Sequence, residues 1–162
     1  MEKTVRTVIS DDLKELFLRY SRHAEFAGEK ITCAQQVGLF GSQLLHLASF
    51  SDRNEDVALL IQEGADINVI GDLGLTPLHY AVLGGSINVV RLLINQGADL
   101  TVENEFGETP LQMAGVIQDI EMAAVLAEVD VTGSHGTDHS DLARNRWNDF
   151  KMIQVGNFWP GD

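Results

Sequence analysis

The sequence predicts an all-α solenoid of stacked helix-turn-helix units with projecting turns, and two repetitions predict it. Thr76-Pro77-Leu78-His79 returns 33 positions later as Thr109-Pro110-Leu111-Gln112, and Gly64-Ala65-Asp66 returns at the same interval as Gly97-Ala98-Asp99. Self-similarity at that period marks a repeat architecture, in which each unit is a small helical motif that buries its apolar side only when a neighbour stacks on it. A chain of 162 residues lies within single-domain length, so one elongated domain is expected.

The elements follow in chain order. Ser10 before Asp11-Asp12 is a good helix start, and Leu13, Leu16, Phe17, Tyr20 and Ala24 then share one face. Residues 1–37 are therefore expected to cover the N-terminal end of the stack as a helical cap. Residues 38–70 form the first unit, which keeps Gly41, His46, Ala48, Leu59-Leu60 and Gly64-Ala65-Asp66 but has Gln43-Leu44 where threonine and proline should stand. Ser42 is expected to cap its first helix instead.

Residues 71–103 form the clearest unit. Thr76 is a good N-cap, and Pro77 suits the first helical position, where a missing N–H costs nothing. Leu78, Ala81 and Val82 give that short helix one buried stripe, which Gly84-Gly85 end. Ile87, Val90, Leu92, Leu93 and Ile94 make the second helix the more apolar partner, closed by Gly97. From Asp99 to Gly107 there is no helical stripe, so this segment reads as an extended turn projecting from the stack. The third unit, 104–130, keeps Gly107 and Thr109-Pro110-Leu111, then diverges, with Gln118 in place of the inter-helix glycine and Val129-Asp130 in place of Gly-Ala. Residues 131–162 are expected to cover the far end: a small polar loop from Thr132 to Asp138, then an amphipathic helix with Ala143, Trp147 and Phe150 on one side.

On these residues the chain resembles the ankyrin-repeat family. The run Gly74-Leu75-Thr76-Pro77-Leu78-His79, with Gly85, Val89-Val90, Leu92-Leu93 and Gly97-Ala98-Asp99, falls in register with the family pattern. The resemblance implies stacked units with β-turn fingers, and a partner docked on the concave face made by the fingers and the exposed side of each first helix. Carried onto the aligned positions, that face presents Phe50 from the first unit and Asp72, Leu73, Leu75 and Leu83 from the second. From the third it presents Glu103, Glu105, Phe106, Glu108, Val116 and Ile117. Leu73 and Phe106 stand at turn positions that solvent alone would prefer polar, and large apolar groups rimmed by charge are typical of contact sites. Leu75, Val116 and Ile117 have the alternative of packing against neighbours or under the C-terminal flank. The resemblance further implies that His46 and His79 hydrogen-bond between neighbouring turns. Gln112 at the third such position argues against a metal ladder.

Charge adds to this. Residues 41–130 hold fourteen acidic side chains against two basic ones, Arg53 and Arg91, so nearly all of the net charge of −13 sits on the repeats. Such acidity serves solubility, or steers a basic protein partner toward the repeats. It disfavours nucleic acid, whose phosphates need the opposite sign.

Other chemistry is weakly supported. His135 and His139, with Asp138 and Asp141, would share a face only if that segment were helical, and Gly133 and Gly136 make it a poor helix. Cys33 is the sole cysteine and is expected to be a small buried group. No phosphate-binding loop, nucleophile elbow or zinc-protease motif occurs, so no cofactor is expected. The segment MEKTVRTVISDDLKELF lacks the apolar core of a secretory signal, and no run is long enough to span a membrane, so a cytoplasmic, non-enzymatic binder is expected. Within that class, the short, acidic, freestanding array resembles small bacterial ankyrin proteins that act as immunity or antitoxin partners of a toxin or other enzyme. The alternatives are a scaffold or accessory subunit, or, from another class, a metal-dependent protein using the His135–Asp141 segment.

Overall fold

In a computed structural model the described residues are 10–26 and 30–132, with side chains through residue 128. Helix α1 (Asp11–Tyr20) is followed by a 3-10 turn, Ala24–Phe26, and then by three helix pairs, with a second 3-10 turn, Asp72–Gly74, before the second pair. These are α2 (Leu44–Phe50) with α3 (Asn54–Gln62), α4 (Pro77–Leu83) with α5 (Ile87–Asn95), and α6 (Pro110–Val116) with α7 (Ile120–Thr132). The first helices stack as one layer, α2 on α4 on α6, and the second helices as another, α3 on α5 on α7. Between them runs one continuous core that includes Leu45, Ala48, Leu60, Leu78, Val82, Leu93, Ala114, Met122 and Leu126. Among the described residues no helix is long and apolar enough to cross a membrane.

Helix α1 has the N-cap and most of the buried face that its sequence pattern predicts. Ser10 Oγ accepts from the Leu13 N–H at 3.2 Å, and Leu13, Leu16, Phe17 and Tyr20 are buried. Arg19 Nη1 reaches both carboxylate oxygens of Asp56 at 2.5 and 2.6 Å, and the Tyr20 hydroxyl donates to Asp56 Oδ2 at 3.1 Å. Burial first, and the Asp56 carboxylate second, push the Tyr20 phenol up. Asp56 lies in the first turn of α3, where a negative charge also suits the exposed N–H groups, so one carboxylate ties the cap to the first repeat.

Four expectations need correction. Helix α1 ends at Tyr20, so Ala24 begins the 3-10 turn and is exposed rather than lying on the helix face. Ser42 does not cap α2: its hydroxyl pairs with the Tyr80 hydroxyl at 2.7 Å, Gln43 is the N-cap residue, and the Gln43 N–H is taken by His46 Nδ1 at 2.9 Å. Cys33 is exposed. Thr132 ends α7 rather than opening a loop, because no glycine stands where Gly64 (φ +84°) and Gly97 (φ +91°) turn the chain after α3 and α5. The helix predicted around Trp147 and the His135–Asp141 segment lie outside the described residues.

Candidate functional site

Each repeat begins with a turn closed by the same bond. Gly38 N–H donates to Ser42 O at 2.8 Å, Gly71 N–H to Leu75 O at 2.9 Å, and Asn104 N–H to Glu108 O at 2.9 Å. The turns stack on one another, since the Glu105 N–H donates to Leu73 O at 3.0 Å and a Cβ added to Gly74 would meet Glu105 N at 2.9 Å. The first turn has no repeat before it, and Glu25 takes that place. Its carbonyl accepts from Leu39 N–H at 2.8 Å, while its buried carboxylate accepts from Phe40 N–H at 3.1 Å and Ser42 N–H at 2.8 Å.

The two histidines hold the turns to the helices. His79 Nδ1 accepts from the Thr76 N–H at 3.2 Å, which leaves Nε2 to carry the proton and donate to Glu108 O at 3.1 Å in the next turn. His46 repeats this, with Nδ1 on the Gln43 N–H and Nε2 donating to Val69 O at 3.1 Å. These tautomers follow from the hydrogen bonds. Burial, the dominant cause, holds both imidazoles below their ordinary pKa and so favours their neutral forms. Gln112 takes only the first half of the role, accepting from the Thr109 N–H at 2.9 Å.

On this frame the large apolar residues form two rows. Phe40, Leu73 and Phe106 stand at the tips of successive turns, and Phe50, Leu83 and Val116 end α2, α4 and α6; within each row the spacing is 33 residues. All six, with Ile117, are between 41% and 69% exposed. Leu73 also has left-handed backbone, φ 56° and ψ 24°, a conformation glycine or asparagine adopts more cheaply than leucine. Asp72, Glu103 and Glu105 are exposed beside the rows, and Glu108 is half-buried. Asn104 shapes the third turn, its Oδ1 accepting from Phe106 N–H at 2.9 Å and Glu108 N–H at 3.0 Å.

Leu75 does not belong to the face. It is 6% exposed, at the base of the second turn, where extended backbone turns its side chain into the core. The equivalent Ser42 is buried too. Conversely, sequence reasoning overlooked Phe40, although it lies one period before Leu73. An open cleft of about 280 Å³ lined by Asp12, Glu15, Arg19, Glu55, Asp56 and Leu59 sits between α1 and α3, where Arg19 is already engaged by Asp56.

A family model for ankyrin repeats in three copies matches residues 25–138. No curated protein matches the chain.

Proposed function

The chain belongs to the ankyrin-repeat family, whose repeats generally mediate protein–protein interaction, and we propose that it binds one specific, basic partner protein on the face made by its three turns and the ends of α2, α4 and α6. One observation carries this reading: two rows of large apolar side chains stand in solvent at positions whose backbone the repeats fix. Burying one such side chain contributes about 1.5–3 kcal/mol, so a few of them suffice for the core of an interface. Leu73 sharpens the point, because a left-handed leucine costs about 1–2 kcal/mol that asparagine or glycine would largely avoid. Stability of the isolated chain favours neither its exposure nor its backbone, whereas a partner that covers it offsets both.

Acidity supports a basic partner. With fourteen carboxylates against two arginines in residues 41–130, attraction would speed encounter with a positive surface and weaken as salt rises. The partner is further proposed to be a toxin or other enzyme that the chain holds inactive, in the cytoplasm, where an exposed lone thiol such as Cys33 suits reducing conditions.

Purification from native extract at low salt, with mass spectrometry of what co-elutes, identifies the partner. Leu73→Arg or Phe106→Arg is expected to weaken its binding at least about tenfold, while Asn88→Arg on the exposed side of α5 leaves it unchanged. Unaltered affinity in both concave variants would contradict the proposal. Inhibition of an enzyme partner supports the immunity role, and full activity in the complex points to a scaffold or accessory subunit.

A further inference from the structure

The two apolar rows are uniform along the stack, but the positions beside them are not. Val37, Ile70 and Glu103 occupy one such position, Leu39, Asp72 and Glu105 another, and Ser42, Leu75 and Glu108 a third, each 33 residues apart. No carboxylate therefore flanks the first turn at these positions; Asp72 alone flanks the second, and Glu103, Glu105 and Glu108 flank the third. Val37 and Leu39 are exposed, so the first end of the face is apolar well beyond Phe40, and Ile70 extends this into the second turn. The Glu25 carboxylate lies close to that end, but it is buried and already accepts two backbone N–H groups, so it is not open to pair directly with an incoming cation.

We infer that the face is polarised and takes a protein segment of segregated chemistry, with large apolar side chains over the first turn and lysine or arginine over the third. This rests on the function proposed above and adds the register and composition of what binds. A cation placed over Val37, Leu39 and Phe40 would lose water and gain no partner, whereas the same cation over Glu103 and Glu105 is paired. Reversed placement is thus penalised at both ends, which fixes the direction in which the segment lies. A second copy of the chain is a poor occupant, since it brings net charge −13 against −13 and carboxylates against the third turn.

Selection of a library of random linear peptides on the full-length protein tests the inference. Enriched sequences are expected to carry an apolar block and a separate basic block. For a selected peptide, Glu103→Gln with Glu105→Gln is expected to lower affinity about three- to tenfold at about 50 mM salt and to have little effect at about 500 mM. Phe40→Ser is expected to lower it to a similar degree at both salt concentrations. A nitroxide on the basic end of the peptide should broaden backbone resonances of residues 103–108 and spare those of 37–42. Binders that are displaced by Phe106→Arg, yet mix basic and apolar residues throughout or broaden both turns equally, overturn the polarity and leave the binding face standing. An absence of binders, or binders indifferent to Leu73→Arg and Phe106→Arg, overturns the face itself and the polarity with it.

Discussion

Gly84 and Gly85 follow α4 as adjacent residues, yet each is glycine for a different reason. A Cβ on Gly84 would overlap the Phe50 carbonyl, so this position lets two repeats approach; Gly85 has open space but a φ of +65°. Gly84→Ala is accordingly expected to cost about 3 kcal/mol through overpacking against backbone, and Gly85→Ala only about 1 kcal/mol, both read from urea unfolding. The same left-handed turn recurs at Asp52 (φ 54°) and Gln118 (φ 61°), one period away on either side. Gln118→Gly should therefore stabilise the chain by about 1 kcal/mol. In the sequence, Gln118 looked like decay of the motif, whereas the fold keeps the conformation and bears its strain. His46 and His79 are held below their ordinary pKa, so the folded chain binds fewer protons than the unfolded chain just below pH 6.5. Stability should be complete above that pH and decline as pH falls through it, and His46→Gln with His79→Gln should flatten this part of the profile in denaturant titrations.

Among the elements, helices were far more legible than turns. Thr76-Pro77 and Thr109-Pro110 announce α4 and α6, and both threonines do cap, accepting from His79 N–H at 3.5 Å and Gln112 N–H at 3.4 Å. The turns carry no helical period, and whether a side chain points outward depends on local backbone that spacing does not reveal. Leu75 was thus placed on the face although it is buried, and Phe40 was passed over because Gln43-Leu44 obscures the start of the first repeat. Ser42 was read as a cap for want of a threonine, whereas the helix starts after Gln43, whose own N–H is held by His46 Nδ1. Leu73 allows a test at this scale. Leu73→Asn should raise unfolding stability by about 0.5–1 kcal/mol, since asparagine tolerates left-handed backbone better, and should also weaken the partner complex. A variant that binds as well as the original chain would show that Leu73 is not a contact.

For the molecule as a whole, the repeat period was plain from the pattern, because two motifs recur 33 residues apart. How the N-terminal cover attaches was not, since Arg19 and Tyr20 meet Asp56 across more than thirty residues of sequence. Asp56→Ala removes both partners' acceptor and should lower stability by about 1.5–3 kcal/mol, with amide exchange in α1 rising more than in α5. The central claim concerns the proposed face of turns and helix ends and is reached most directly by hydrogen exchange of the chain alone and saturated with its purified partner. Protection on binding is expected in residues 37–42, 70–75 and 103–108 and at the C-terminal ends of α2, α4 and α6. Protection confined to α3, α5 and α7, with the three turns exchanging as in the free chain, would contradict it.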